Sequence, residues 1–328
     1  MLLQKWWNNS RGLRAAIKLV PCAAALAWSS SSWAGIIVND TFKDGDRAYP
    51  PAPGYSEGGT DHDLDGDVES AWYTSPGAAM AATPGHLTMT QQSGSSSYTS
   101  YFTAEGKEIN LAHVNDTLKV TWVFTPTAAA SQTNTSQNLH IGLVDSPPAV
   151  TRLSADGTPA SGAYAGYGVY MNMSITAPGG ASEPLGNSNP FRLMERDGSN
   201  STILNNTTPP WNPLANGATT GNHGFDSGTQ YTFTMQLTHN ASDGLDIVTR
   251  MSGGTVDGDG LEEVIFTDTT PNTFKYDTFA LRPSSAASTA DSFDTTLFKV
   301  ESNVPEPASL LLMGLGGLGL GLLGRRRQ

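Results

Sequence analysis

An all-β, antiparallel body between two apolar termini is what this sequence predicts, on three observations. Segments of 6–11 residues alternate apolar and polar side chains, the period of a strand with one buried face. Outside the two ends no stretch sustains the 3.6-residue period of a helix. Gly, Pro, Asn, Asp and Ser cluster between the alternating segments, where turns need left-handed or φ-locked backbone.

Taken in order, residues 1–34 come first. They carry Lys5, Arg11, Arg14 and Lys18, no acid, an apolar stretch over 19–28, and Ser32-Trp33-Ala34. A basic start, an apolar middle and a small-x-small end predict a signal peptide cleaved after Ala34. The single cysteine, Cys22, lies inside it, so the mature chain is expected to fold without disulfides.

The body, residues 35–303, contains the alternating segments 86–91, 117–126, 138–145, 167–175, 229–239, 244–251 and 261–269. Leu118, Val120, Trp122 and Phe124 fall on one face of their segment, and Tyr231, Phe233, Met235 and Leu237 on one face of theirs. Trp122 is therefore expected in the core. Residues 194–204 read as a hairpin centred on Asp197-Gly198, and Asp257-Gly258-Asp259-Gly260 as a turn. Three polar stretches, 125–137, 176–190 and 205–228, read as long loops. About 270 residues suit one all-β sandwich with long connections.

Charge narrows the partners. All 30 acids lie beyond residue 39. Four of the 18 basic residues lie in the leader and three at the C-terminus, so 11 face 30 acids, a balance of −19. Such a surface repels nucleic acid and anionic lipid. It suits calcium, or neutral glycans in an acidic matrix.

Candidate ligand positions follow. Asp61, Asp63, Asp65 and Asp67 alternate around Gly66. Alternate carboxylates in a loop either wrap a calcium ion, which takes six to eight oxygens, or form a solvated acidic turn. The loop opens like an EF-hand, but its twelfth residue is Trp72 and not a bidentate Glu. Trp72, Tyr73 and Trp211 lie beside proline-rich or polar loops, where exposed rings would stack on sugars and half-buried ones would anchor a loop. Tyr167 and Tyr170 fall on opposite faces of a strand and make no joint platform.

No catalytic motif is found. H-E-x-x-H, G-x-S-x-G and a phosphate-binding glycine loop are all missing, the six histidines are scattered, and the mature chain offers no cysteine nucleophile. Glu262 and Glu263 are adjacent and point to opposite faces. A non-catalytic body is the expectation. The alternative, a secreted carbohydrate-active enzyme, needs two strand carboxylates facing one side, about 5–10 Å apart.

The C-terminus closes the chain. Val304-Pro305-Glu306-Pro307 is followed by the uncharged run 308–323 and by Arg325, Arg326 and Arg327. The two prolines forbid a helix and leave an extended peptide. The run of about 16 residues is near the length of a membrane span, with the arginines held on the cytoplasmic side. Motif, apolar run and basic cluster, in that order after a signal peptide, resemble the PEP-CTERM proteins, exported proteins of Gram-negative bacteria that make exopolysaccharide. The resemblance implies a sorting segment over 304–328, recognition by a membrane-embedded exosortase, and a body delivered to the cell envelope, surface or matrix.

A second resemblance covers the body. The opening "DTFKDGDR" (40–47), "AWYTS" (71–75) and the closing "SFDTTLFKVESNVPEP" (292–307) are similar to sandwich ectodomains of the concanavalin A-like or laminin G-like kind. It implies a jelly-roll sandwich with neighbouring first and last strands, a glycan-binding or structural role, and one ion shared by Asp40 and Asp294.

Overall fold

The computed structural model describes residues 35–47, 60–61, 64–129, 138–173, 191–205, 209–217 and 224–304. The leader, Asp63, the loop over 176–190, Pro305, Glu306, Pro307 and Arg325–Arg327 lie outside the described residues. Among the described residues no helix is long and apolar enough to cross a membrane.

Among the described residues seventeen strands follow one another. They are β1 (Gly35–Asp40), β2 (Trp72–Thr74), β3 (Ala79–Thr83), β4 (His86–Thr90), β5 (Tyr98–Tyr101), β6 (Ile109–Asn110), β7 (Thr117–Thr127), β8 (Leu139–Asp145) and β9 (Ala165–Met171). Then come β10 (Phe191–Asp197), β11 (Trp211–Asn216), β12 (Tyr231–His239), β13 (Leu245–Ser252), β14 (Leu261–Asp268), β15 (Lys275–Tyr276), β16 (Thr278–Pro283) and β17 (Ser292–Ser302). Each of the seven alternating segments read from the sequence contains a strand, although β9 ends at Met171 and residues 174–175 of the expected 167–175 lie outside the described residues.

Fifteen of the strands form two antiparallel sheets, and β15 and β6 pair as a separate two-stranded ribbon. The first runs β14-β13-β12-β7-β17-β4-β3, with β1 also on β17. The second runs β11-β10-β9-β8-β16-β5-β2. β17 is central to the first sheet. One edge pairs with β7 from Ser292↔Thr127 to Ser302↔Leu118. Its other edge is shared end to end: β4 takes Ser292–Thr295, and β1 takes Phe298–Ser302. First and last strands of the body are therefore neighbours, as the resemblance implied.

The inward faces of both sheets meet in one core. Leu118, Val120, Trp122 and Phe124 of β7 alternate with half-exposed Lys119, Thr121 and Val123, because successive strand side chains point to opposite faces. Trp122 is fully buried. Its ring stacks on Phe124 at 3.9 Å and meets Phe293 edge-on at 5.7 Å. Its indole N–H donates to Thr295 Oγ1 at 3.0 Å, so the one polar atom of the ring is satisfied inside the core.

The outer face of the second sheet is also covered. Val144, Tyr170, Met194 and Ala280 pack there under Val150, Tyr164, Ile203, Leu204 and Trp211. Glycines make the approach possible. A Cβ at Gly142 would stand 2.7 Å from Leu204, and one at Gly168 would stand 3.0 Å from Trp211.

Two local expectations are corrected. The chain does turn at Asp197-Gly198, where Gly198 takes φ +78°, but the return strand is not 199–204. β10 pairs instead with β11, Arg196 opposite Trp211, and residues 211–216 of the expected loop 205–228 are a strand. Alternation missed β11 because Pro213 and Asn216 interrupt it and its burial is irregular. The turn at 257–260 forms as read, with Asp257, Gly258 and Gly260 all at positive φ.

Removing the central ring should be costly. Trp122→Ala is expected to destabilise the fold by about 3–5 kcal/mol, as large-to-small core changes do. Urea unfolding of variant and parent checks it; a loss below 1 kcal/mol would contradict the core assignment.

Candidate functional site

Three places in the described structure bear on function: the exit of the chain, a buried carboxylate centre, and a groove on the second sheet.

The exit is held firmly. Asn303 follows β17 directly. Its Oδ1 accepts from Thr117 N at 2.7 Å, and its Nδ2 donates to Asn115 O at 2.8 Å. Val304 packs partly against the main core, and its N–H donates to Ser302 Oγ at 3.1 Å. The folded body thus extends to the residue before Pro305.

The carboxylate centre sits where β1 ends. Asn39 bridges to Val68, which brings residues 67–70 alongside Asp40. Asp40, Asp67 and Glu69 are all buried, and one carboxylate oxygen of each lies within 4.8 Å of the others. Asp40 Oδ1 accepts from Phe42 N at 2.7 Å; its Oδ2 accepts from Ser70 N at 2.9 Å and from Ser70 Oγ. Asp67 Oδ2 accepts from Thr41 N at 2.8 Å and Thr41 Oγ1 at 2.6 Å. Burial pushes the Asp40 carboxyl up to about 7. Burial, then repulsion from Asp40, pushes Glu69 up to about 10. Asp67 is held below the ordinary carboxylate range, because hydrogen bonds from the Asp65 and Thr41 side outweigh its burial.

The six predicted ligands therefore separate. Asp40 and Asp67, assigned from sequence to two different sites, come together, and Glu69, which the sequence reading missed, completes the group. Asp61 caps its own loop, accepting from Leu64 N at 2.6 Å and Gly66 N at 3.1 Å. Asp65 Oδ1 accepts from Asp67 N. Asp294 is not part of this centre. Asp40 stands opposite Phe298 on β17, four residues from Asp294, roughly 13 Å along a strand. Asp294 instead meets His86 Nδ1 at 3.1 Å.

The ring-stacking expectation is corrected. Trp72, Tyr73 and Trp211 are 1%, 4% and 0% exposed. Trp72 lies in the main core, edge-on to Phe298 at 4.9 Å and to Phe279 at 6.0 Å. Tyr73 packs with Ala71 and Tyr101. Trp211 donates its indole N–H to Ile203 O at 3.0 Å. A ring beside a polar loop in sequence is here the anchor that holds the loop down.

On the outer face of the second sheet runs an open groove of about 250 Å³. Ser75, Ser97, Thr99, Thr158, Thr202 and Arg282 are among its lining residues, with no aromatic ring among them. Arg282 Nη2 donates to Ser95 Oγ at 3.2 Å. The lining is rich in hydroxyls and carries one guanidinium and no carboxylate, on a chain that is otherwise strongly acidic.

Two further acid groups lie in the sandwich. Glu195 of β10 and Asp268 of β14 hydrogen-bond to each other, Asn272 N donates to Glu195 Oε1 at 2.9 Å, and Tyr167 donates to Asp268 Oδ2 at 2.6 Å. Direct contact leaves no room for a sugar between them, unlike the pair a glycosidase needs. Glu262 is buried against Asn172, Phe191 and Phe225, and Glu263 on the other face pairs with Arg250, as their adjacency required.

Comparison with known proteins decides the nature of the exit. Residues 303–327 match the PEP-CTERM protein-sorting motif. The chain carries a PEP-CTERM sorting motif. It begins at Asn303, the residue directly after β17. A search of curated protein sequences found no match. Among solved structures, the Emp46p carbohydrate recognition domain in its metal-free form is 11% identical, with TM-score 0.39 over 70% of this chain and 87% of that one. The VIP36 exoplasmic/lumenal domain in its Ca²⁺/Man2-bound form is 9% identical, TM-score 0.42, covering 70% and 80%. Arcelin-5, a lectin-like defence protein from Phaseolus vulgaris, is 12% identical, TM-score 0.37, covering 70% and 92%.

Glu262 yields a pH prediction. Burial, then repulsion from Asp257 and Asp259, pushes its carboxyl up to about 8. The folded state therefore holds this proton more tightly than the unfolded chain. The associated stability is intact below pH 4.5 and is lost as pH rises through about 8. Glu262→Gln, which stays neutral, is expected to raise the urea midpoint at pH 8 and leave it unchanged at pH 4. Equal effects at both values would show that Glu262 is not the titrating group.

Proposed function

We propose that the protein is an exported, non-catalytic sandwich of the cell surface or exopolysaccharide matrix that binds glycan, with calcium as its cofactor. The observation that carries this reading is the join between the last strand and the sorting motif. Ser302 ends β17, and the motif runs from 303 to 327, so the whole sandwich precedes the sorting segment. An exosortase acting near Pro305-Glu306-Pro307 then receives an extended peptide directly below a folded body whose last residues are fastened to β7. The arginine cluster holds the segment in the inner membrane until processing.

The groove supports the glycan part. Hydroxyls of Ser and Thr both donate and accept, which matches a polyhydroxylated ligand, and the guanidinium of Arg282 adds fixed donors. The acidic remainder of the surface keeps such a protein soluble in a hydrated matrix.

Two experiments test it. Replacing Arg325, Arg326 and Arg327 by alanine is expected to abolish C-terminal trimming in the producing cell, read as the intact mass of the recovered protein. Unchanged trimming would overturn the sorting role of the cluster. Calorimetry of the protein with the producing cell's own exopolysaccharide is expected to show binding that weakens at least tenfold in Arg282→Ala. A folded protein that releases no heat would leave a structural coat role and refute glycan binding.

A further inference from the structure

The centre at the end of β1 is built for a cation. Asp40 accepts from Phe42 N, Ser70 N and Ser70 Oγ, and Asp67 Oδ2 accepts from Thr41 N and Thr41 Oγ1. These donors favour the charged form of each carboxyl, while burial, which at Asp40 is the larger effect, opposes it. Two such carboxyls and Glu69 share one buried space.

The decisive atom is Asp67 Oδ1. Asp67 is 3% exposed, and this oxygen is buried and receives no N–H or O–H donor; the side chain set against Asp67 on that loop is another carboxylate, Asp65. A buried carboxylate oxygen without a partner is expensive, and buried charges are normally paired or bound to metal. Asp40 and Asp67 enter no ion pair among the described residues. Lys43 lies near enough to lower the Asp67 carboxyl, yet its Nζ donates to the Asp65 carbonyl.

A second acid group in the same molecule shows the contrast. Glu108, Asp145 and Asp277 also gather within 4.8 Å. There the chain supplies the counter-charge itself: Arg152 Nη2 meets Asp277 Oδ2 at 2.6 Å, and Lys275 acts on Asp145. Asp277 further receives Ser146 N and Oγ.

We infer that Asp40, Asp67 and Glu69 bind one calcium ion, which ties the end of β1 to the segment that enters β2. Three carboxylates in an irregular loop setting suit calcium, which accepts six to eight oxygens in flexible geometry, better than magnesium with its strict octahedron. The site lies at the corner where β1 and β4 abut on β17, next to the β3–β4 turn, whose Gly85 N donates to Phe42 O at 2.7 Å. An ion there locks the end of the first strand to the segment before β2 without a disulfide. This inference names the place of the calcium in the function proposed above and does not depend on the groove.

The test uses the full chain, stripped with chelator and assayed without glycan. Equilibrium dialysis with elemental analysis is expected to find one calcium per chain and weaker uptake of magnesium. Calcium at about a hundredfold over its dissociation constant should raise the melting temperature by about 5 °C over the chelated protein. Asp67→Asn and Glu69→Gln should each weaken calcium binding at least tenfold, while Asp277→Asn leaves it unchanged. No uptake by the parent protein, with the same melting temperature in calcium and chelator, would overturn the inference whatever the variants do. Uptake unaffected in both Asp67→Asn and Glu69→Gln would place the ion elsewhere and overturn it equally. Because no glycan is present, loss of exopolysaccharide binding in the groove experiment leaves this result standing.

Discussion

The pairing of β17 with β7 is the interaction on which the rest of the structure depends. β17 comes last in the body, yet it lies in the middle of the larger sheet, between β7 and the joined edges of β4 and β1. Phe293, Thr295, Phe298 and Val300 enter the core from it, and Thr295 accepts the Trp122 indole N–H. The sheet is therefore incomplete until residues 292–302 are in place. Contacts of this sequence separation form late, since loop closure precedes any gain from them. The same strand delivers the chain directly to its sorting motif, which begins at the next residue. Completion of the fold and presentation of the processing segment are thus two ends of one strand.

Residues 35–304 contain no cysteine, so the sandwich secures its edges by means other than disulfides. The main core does most of it, at about 25 cal/mol per Å² of apolar surface withdrawn from water. A second apolar layer on the outer face of the smaller sheet adds to it, held by Trp211 and by Arg196, whose guanidinium lies 5.5 Å from the Tyr164 ring and 5.8 Å from the Trp211 ring. Arg196 Nη2 gathers the carbonyls of Gly162, Ser199 and Ser201, so it serves as a hub for two covering loops. These loops consume the aromatic residues that a sugar platform would need. What the outer face leaves open is the hydroxyl-lined groove around Arg282.

Acidity plays two parts in this molecule. Outside, the excess of acids over bases gives the surface a negative charge. Inside, buried acids are handled in three ways. Asp277 takes Arg152, Glu195 and Asp268 bond to each other, and the group at Asp40 keeps its oxygens under donor hydrogen bonds with one oxygen left over. Unlike Asp277, which has Arg152, neither Asp40 nor Asp67 enters an ion pair among the described residues, and that gives the corner of β1 its chemical character.

The sequence by itself determined the strand periodicity, the burial of Trp122, the opposite facing of Glu262 and Glu263, and the sorting segment, because each is a local property. A period of two, a pair of adjacent residues and a linear motif are all read within a few positions. Tertiary structure alone decided what lies beside what. It took Asp40 and Asp67 from two separate readings and set them together with Glu69, because the bridge from Asn39 to Val68 folds the loop back on β1. It parted Asp40 from Asp294, because β1 abuts the far half of β17. It turned Trp72 and Trp211 inward, because a ring next to a polar loop is placed by the sheet that the loop crosses. Side-chain company depends on strand order and register, and those are set by the summed packing of the whole sandwich, which no short stretch of sequence contains.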